Sequence, residues 1–149
     1  MTTDLNQLSD FELLCLAVWR EASNQPWLGW IGVAHVIKNR VLNGGWWGDT
    51  YRAVILHPYQ FSSFNANDPN RNRWPDENEE AWTQIKGACF DVYNGVGIAD
   101  PTDGATFYWS SPLTVAPHSW GKIEETFRVG SLHFCKPAPI EDINHESSN

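Results

Sequence analysis

Long hydrophobic runs are absent from this sequence. No stretch of about 18 apolar residues occurs, so the sequence predicts no membrane-spanning helix and no membrane anchor. The N-terminal stretch MTTDLNQLSDFELL has neither a basic nor an apolar segment, which predicts no secretory signal. Low-complexity tracts and repeats are also absent, as expected for a folded protein. The length predicts one domain over residues 1–149, with a core at about 9–136 and a flexible acidic tail at 137–149.

Positive charge is scarce. Ten lysines and arginines stand against eighteen aspartates and glutamates, which gives a net charge of −8 at pH 7. Proteins that bind nucleic acids neutralise phosphates with clustered cations, and this chain has no such cluster. The charge pattern therefore excludes nucleic acid as the expected partner.

Cysteine is also rare, and the spacing of the cysteines does not indicate a metal site. The three cysteines are an odd number and form no C-x-x-C pair. Cys15 and Cys89 fall on predicted apolar helix faces, which indicates buried thiols in a chain made in a reducing compartment.

Tryptophan, in contrast, is abundant. The chain contains nine tryptophans, whereas roughly one or two per hundred residues is usual. Core packing would account for about half of them, so the rest predict flat aromatic faces in a groove. Such faces suit sugar rings or bases, and the acidic charge favours sugars.

The first predicted helix has clear start and stop signals. Ser9 and Glu12 have capping-box spacing, so a helix is expected from near Asp10 to Ser23–Asn24, before Pro26. Its apolar stripe consists of Phe11, Leu14, Cys15, Val18 and Ala22. Apolar residues on the other faces as well predict a central helix.

Three further helices are predicted. One runs from about Pro26 to Leu42, and a short one covers residues 50–57. Another is expected from roughly Asp76 to Asn94, because Asp76 and Glu79 again have capping-box spacing. The apolar stripes are Trp27, Ile31, Ala34, Ile37 and Val41 in the first of these, and Trp82, Ile85, Cys89 and Val92 in the last.

Short strands follow the helices. The segments GATFYWSS, ETFRV and SLHFC read as strands, and the last two are expected to form a hairpin through Val129 and Gly130. Helices first and a little sheet later predict an α+β domain that is mostly α.

Glu21 is the most unusual residue of the first helix. It lies roughly 75–80° from the centre of the apolar stripe, so its carboxylate borders the core. Apolar neighbours and the negative end of the helix dipole, worth about 0.3–1 kcal/mol, both favour the protonated form. Arg20 should point to another face. A protonated carboxylic acid near neutral pH is what protonation of a glycosidic oxygen requires. An ordinary surface glutamate near a helix end is the alternative.

Several segments resemble the SleB-type cell-wall hydrolases, the spore-cortex-lytic enzymes and their relatives. They are LCLAVWREASNQPWLGWIGVAHVIKNRV, HPYQFSSF, GATFYWSSPLTVAPHSW and VGSLHFCK, in the family's order over about residues 11–136. The resemblance implies a lysozyme-like fold and cleavage of peptidoglycan between N-acetylmuramic acid and N-acetylglucosamine. The catalytic glutamate of the family's E-A element corresponds to Glu21.

The resemblance also implies the reaction and the remaining site residues. Family members are commonly lytic transglycosylases, which use one carboxylate, form a 1,6-anhydro product and need no cofactor. The substrate-binding residues expected from it are Tyr59, Gln60, Phe61, Ser62, Thr106, Tyr108 and His133. Tyr59 and Phe61 as core residues, and a structural His133, remain alternatives. The chain departs from the family at Asn24-Gln25-Pro26, where many members have Gly-Glu, and at Phe107, where a histidine is common.

Other functions remain open at this point. A hydrolytic muramidase would need a second carboxylate roughly 5–9.5 Å from the first, and Asp91, Asp100 and Asp103 are the spare candidates. A non-catalytic glycan-binding module would use the tryptophans alone. A zinc amidase would use His35, His118 and His133, but no zinc-binding spacing supports it, and no metal is expected.

The expected setting follows from the missing export signal. The chain resembles a phage endolysin, a monomer that stays in the host cytoplasm until it is released to the cell wall or periplasm. A bacterial enzyme from a prophage remnant would look the same. The expected partner is the peptidoglycan glycan strand.

Overall fold

The computed structural model describes residues 2–110 and 120–139, and one hydrophobic core unites their helices and sheet. The helices are α1 (Asp10–Ala22), α2 (Trp27–Asn43), α3 (Tyr51–Ile55) and α4 (Glu80–Asn94), and the strands are β1 (Phe107–Ser110), β2 (Ile123–Val129) and β3 (Leu132–Pro137). Short 3-10 helices cover Leu5–Gln7, Gly45–Trp47, Ser62–Phe64 and Pro69–Asn72. None of the helices in the described ranges is long and apolar enough to cross a membrane.

Helix α1 is the central helix, as predicted. Its capping box is formed: Ser9 N–H donates to the Glu12 carboxylate at 2.9 Å, and Glu12 N–H donates to Ser9 Oγ at 3.1 Å. Because α2, α3 and α4 all pack against it, its side chains are buried on almost every face. Cys15 of α1 and Cys89 of α4 are both buried free thiols, which confirms their predicted core position.

Helix α2 connects the helices to the sheet. Gly32 lies against the ring of Phe134, so closely that a Cβ atom there would meet Phe134 Cζ at 2.5 Å. Trp27 was expected in the apolar stripe of α2, but its side chain is 45% exposed. It occupies the first turn, ahead of the part of α2 that is packed on both sides. Trp30 is buried instead, and its Nε1–H donates to the Ala22 carbonyl at 2.8 Å, at the end of α1.

Helix α4 begins four residues later than predicted, at Glu80, and the capping box of Asp76 and Glu79 does not form. Asp76 instead closes a turn in which its carboxylate accepts from Asn78 N–H at 2.9 Å. Glu79 accepts from Trp19 Nε1–H at 2.8 Å, so its side chain contacts α1 rather than its own helix end. A tertiary hydrogen bond has replaced the local one.

The sheet has three antiparallel strands in the order β1-β3-β2. The predicted hairpin is confirmed as β2 and β3, and β1 pairs with β3 on the other side. Tyr108 and Phe134 are opposite each other and share the face packed on α2, whereas Trp109 and His133 share the other face. At the hairpin turn, Gly130 adopts a φ of +57° and lies directly against Gln25.

Arg20 of α1 binds the segment of residues 63–73, which follows α3 in the chain. Its guanidinium donates to the carbonyls of Ser63 at 3.1 Å, Arg71 at 2.8 Å and Arg73 at 3.0 Å. The prediction that Arg20 points away from Glu21 is therefore confirmed. Residues 111–119, which include the candidate His118, and residues 140–149 of the predicted tail lie outside the described residues.

Candidate active site

A cleft of about 600 Å³ opens where α1, α2, the segment after α3 and β1 meet. Its volume lies in the range of small-molecule sites. The described residues that line it are Glu21, Arg40, Trp46, Trp47, Tyr59, Gln60, Phe61, Phe107, Tyr108 and Trp120. Five of the predicted site residues are therefore brought together: Glu21, Tyr59, Gln60, Phe61 and Tyr108.

Glu21 stands in the last turn of α1, partly buried at the inner end of the cleft. The Tyr108 hydroxyl donates a short hydrogen bond to its Oε1. Burial raises the pKa of Glu21 above its ordinary value, while the hydrogen bond from Tyr108 and the charge of Arg40 offset part of this rise. The pKa of Glu21 is thus closer to neutral pH than the pKa of an exposed glutamate.

Tyr108 reaches Glu21 from β1. Its ring packs against Phe134 with a centroid distance of 5.9 Å, which fixes the side chain on the inner face of the sheet. Burial and the neighbouring carboxylate raise the pKa of the Tyr108 hydroxyl well above its ordinary value. The hydroxyl therefore stays protonated and acts as a donor to Glu21.

Arg40 of α2 supplies a buried positive charge beside the acid. Its Nε–H donates to the Thr106 carbonyl at 2.8 Å, and its guanidinium lies over the Trp47 ring at 4.2 Å. Burial lowers the pKa of Arg40 to about 10, so it remains charged at neutral pH. Its Nη1 is buried and has no hydrogen-bond partner among the residues that the structure describes. The charge is therefore compensated through space by Glu21 and by the aromatic rings.

Aromatic side chains form the walls of the cleft. The rings of Trp46 and Trp47 contact each other with centroids 4.9 Å apart, and Phe107 packs between Trp47 at 5.4 Å and Trp120 at 4.9 Å. Trp46 also contacts His57 with centroids 4.5 Å apart, yet it is 65% exposed, so much of its side chain remains accessible to a ligand. Phe107, which stands where the family commonly has histidine, is thus part of this aromatic wall.

The Y-Q-F-S turn contributes unequally to the cleft. Tyr59 projects into solvent and is 85% exposed, whereas Phe61 is buried beneath the cleft and lies 5.3 Å from the Arg40 guanidinium. Gln60 lies between them and also lines the cleft. Ser62 begins the next 3-10 helix and is exposed outside the cleft lining.

Two other predicted contacts lie away from the cleft surface. Thr106 is buried, and its main chain bridges Arg40 and the Cys135 carbonyl. His133 lies on the outer face of the sheet, where it stacks on Trp109 with a centroid distance of 3.7 Å. Its Nδ1 is 2.5 Å from a Glu125 carboxylate oxygen. The structure therefore separates His133 from Glu21.

The candidate second carboxylates do not line the cleft. Asp100 accepts hydrogen bonds from Asn39, Thr102 and Gly104. Burial raises the pKa of Asp100, but the hydrogen bonds lower it by more, so this pKa lies below its ordinary value. Asp103 pairs with Lys136 at 3.2 Å. Asp91 lines a separate groove beside Trp27. Glu21 is thus the one carboxylate among the described residues that line the cleft.

The candidate zinc ligands are also apart. His35 belongs to α2, and its Nδ1 lies 3.9 Å from the Asp100 carboxylate. His133 belongs to the sheet, where it contacts Glu125. Within residues 2–110 and 120–139, no group of three or more histidine, cysteine, aspartate or glutamate side chains is arranged to hold a metal ion.

Sequence reasoning missed five residues of the cleft lining: Arg40, Trp46, Trp47, Phe107 and Trp120. Arg40 belongs to the N-R-V element of the resemblance, and the excess of tryptophan predicted aromatic walls without locating them. In the Asn24-Gln25-Pro26 stretch, where the chain departs from the family's Gly-Glu, the Gln25 amide exchanges hydrogen bonds with Ser131 and joins the α1–α2 loop to the hairpin turn.

A protonatable carboxylic acid on a central helix, an aromatic cleft and a mostly helical α+β domain define the lysozyme-like class of enzyme domains. The model of the cell wall hydrolase family matches residues 24–135, and the chain belongs to this family. Glu21 lies three residues before the matched range, which begins at residue 24.

Curated relatives of this chain have similar sequences. The spore cortex-lytic enzyme of Halalkalibacterium halodurans is 32% identical over 127 residues, which are 85% of this chain and 34% of the relative. That of Bacillus subtilis is 30% identical over 128 residues, or 86% of this chain and 38% of the relative. The chain thus spans a little over a third of the length of these curated relatives.

Solved structures share the fold. The catalytic domain of the Bacillus cereus SleB protein matches with a TM-score of 0.65 and 29% identity over 91% of this chain and 98% of that chain. The catalytic domain of the germination-specific lytic transglycosylase SleB from Bacillus anthracis gives 0.66 and 29%, over 89% and 100%. These similarities confirm the predicted SleB-type family and the lysozyme-like, mostly α fold.

Proposed function

We propose that this protein cleaves peptidoglycan glycan strands between N-acetylmuramic acid and N-acetylglucosamine as a lytic transglycosylase, with Glu21 as the catalytic residue. One observation carries the proposal: Glu21 is the one carboxylate among the described residues of an aromatic-walled cleft. A reaction that needs one acid fits this site better than one that needs two. The relatives named as spore cortex-lytic enzymes and lytic transglycosylase support the same chemistry.

The reaction uses Glu21 twice. Its protonated carboxyl group donates the proton to the glycosidic oxygen, the bond to the anomeric carbon breaks, and the N-acetylglucosamine end leaves as an alcohol. The carboxylate then accepts the proton of the muramyl 6-hydroxyl as that oxygen bonds to the anomeric carbon. A 1,6-anhydro ring closes, the acid is regenerated and no water is consumed.

Tyr108 and Arg40 support the anionic stage of this cycle. The Tyr108 hydroxyl already donates to Glu21 Oε1, and the Arg40 charge attracts the carboxylate. Both interactions favour ionised Glu21, and burial favours the neutral form. Opposing influences of this kind keep both protonation states accessible, as an acid that becomes a base requires.

Some of the remaining predicted site residues line the cleft, and the others lie away from it. We propose that Tyr59, Gln60 and Phe61 form the substrate-facing wall together with the tryptophans. Thr106 would act indirectly, since its carbonyl holds Arg40, and His133 would support the sheet through Trp109 and Glu125. Ser62 would hold the turn at the start of its 3-10 helix.

Mass spectrometry of the products tests the proposal. Purified peptidoglycan is digested with the wild-type protein, with Glu21→Gln and with the surface control Glu80→Gln. We expect fragments that end in 1,6-anhydromuramic acid from the wild type and from Glu80→Gln. Glu21→Gln should release at least about 100-fold less, the usual contribution of a general acid.

Other outcomes would identify the alternatives. Reducing muramic ends would contradict the transglycosylase and indicate a hydrolytic muramidase. Glycan binding without release by any protein would indicate a binding module. Host-cell lysis by a phage enzyme, a monomeric state and storage in the cytoplasm stay predictions from the sequence, and lysis upon co-expression with a membrane-permeabilising protein tests the first of them.

A further inference from the structure

A second cavity of about 600 Å³ lies next to the cleft and shares one wall with it. The shared residue is Tyr59, which lines both cavities. The second cavity is formed by Leu56, Pro58, Tyr59, Phe64, Asn65, Ala66, Asn67, Asp68, Pro69 and Arg71. A linear polymer that leaves the cleft across Tyr59 would enter it directly.

Tyr59 is an exposed aromatic residue in a fixed turn at the boundary of the two cavities. It adopts a left-handed backbone conformation with a φ of +64°, which costs energy for a residue with a side chain. The conformation belongs to a turn in which Gln60 N–H donates to the His57 carbonyl at 3.2 Å, and this turn leaves Tyr59 85% exposed. The Asn65 side chain holds it by accepting from Tyr59 N–H at 3.0 Å. The fold thus presents an aromatic face at the boundary of the two cavities.

The lining of the second cavity suits an uncharged polar ligand. It combines the amides of Asn65 and Asn67 with one acid and one base, so its formal charges cancel. The acid, Asp68, accepts from Asn70 N–H at 2.8 Å, and the base, Arg71, donates to the Phe64 carbonyl. Amides beside an aromatic ring match the hydroxyl and N-acetyl groups of a sugar ring.

We propose that this second cavity binds the continuation of the glycan strand, so that Tyr59 separates two sugar-binding regions of one extended site. The inference builds on the proposed function, because the strand is the polymer whose bond lies at Glu21. It predicts that affinity increases with strand length, and that the increase depends on the second cavity.

Binding to the inactive Glu21→Gln protein tests the proposal without turnover. Calorimetry with peptide-free glycan strands, tetrasaccharide and octasaccharide, would compare Glu21→Gln alone with three double variants. Ala66→Trp fills the second cavity, Asn67→Ala removes an amide from it, and Asn70→Ala is the control, an exposed asparagine outside the lining. We expect Ala66→Trp and Asn67→Ala to weaken octasaccharide binding about fivefold to tenfold and to leave the tetrasaccharide unchanged.

Two results would overturn the proposal. One is equal octasaccharide affinity in all four proteins. The other is a length effect that appears only with strands that keep their stem peptides, which would assign the cavity to peptide. The binding test does not depend on the proposed reaction. Length-dependent binding to this cavity would support the inference even if the wild-type protein released no anhydro products.

Discussion

At the scale of single residues, the acidity of Glu21 is set by its surroundings. Burial and the end of α1 favour its neutral form, whereas Tyr108 and Arg40 favour the carboxylate. Removal of any one of these influences should therefore move the pH range in which the protein acts. The direction of each movement follows from the protonation state that the removed group favours.

Replacement of Tyr108 by Phe should move the alkaline limb of activity to higher pH. The lost hydrogen bond favours the carboxylate, so without it the pKa of Glu21 rises further and the acid stays protonated in more alkaline solution. The measurement is kcat/KM for a fluorescent cell-wall substrate across pH. Tyr93→Phe on the surface of α4 is the matched control. An alkaline limb that stays in place would contradict the hydrogen bond's role.

The stability of Glu21→Gln relative to the wild type should depend on pH. Folding raises the pKa of Glu21, so its stabilising contribution is complete below the ordinary glutamate pKa. That contribution is lost as pH rises through the raised pKa of the folded state. Glutamine has no such loss and still accepts from Tyr108.

Urea unfolding at acidic and mildly alkaline pH measures this difference. We expect Glu21→Gln to gain stability relative to the wild type as the pH rises. The opposite trend would mean that the folded protein favours the carboxylate.

At the scale of elements, α2 depends on a close approach to the sheet. Gly32 has no side chain, and the Phe134 ring occupies the space that a Cβ would need. The same contact holds β3, and through β3 it holds β1, which carries Tyr108. The packing of one glycine against one phenylalanine thus affects the distance between Glu21 and its donor.

Gly32→Ala should destabilise the protein by about 1–3 kcal/mol, because it overpacks a rigid contact. Gly87→Ala in α4 is the matched control, since nothing lies within 4 Å of its Cβ position. That variant should gain about 0.5–1 kcal/mol from helix propensity. Thermal unfolding of both variants measures the contrast. Equal behaviour of the two would show that Phe134 moves aside easily.

Element prediction succeeded where local signals agreed with tertiary contacts. Ser9 and Glu12 form the predicted capping box, and within residues 2–110 and 120–139 no distant hydrogen-bond partner competes for either side chain. The same pattern at Asp76 and Glu79 failed, because Trp19 takes the Glu79 carboxylate. A capping motif in the sequence cannot reveal a donor that lies sixty residues away in the chain.

At the scale of the whole molecule, the cleft is assembled from segments far apart in sequence. Arg20 draws the loop around Ser63 and Arg71 onto α1, and Arg40 draws the start of β1 onto α2. Two buried arginines therefore position two walls of the cleft relative to Glu21. Such residues act on the site without a motif of their own.

Activity should survive EDTA. The proposed reaction moves one proton through Glu21 and needs no metal ion, whereas a zinc amidase would lose its activity. The measurement is the rate of wall clearing after dialysis against EDTA, with a known zinc amidase as the control. Activity that disappears and returns with added zinc would contradict the one-acid mechanism.

The sequence alone determined the existence of the four helices, the mostly α class and the family resemblance, and it suggested Glu21 as the proposed acid. These follow from periodicity, capping and motifs, which depend on neighbours close in the chain. The tertiary structure alone decided that Tyr108 donates to Glu21, that Arg40 lies beside them and that His133 faces the other side of the sheet. The pairing of β1 with β3 sets these positions, and strand pairing joins residues whose separation in sequence carries no local signal.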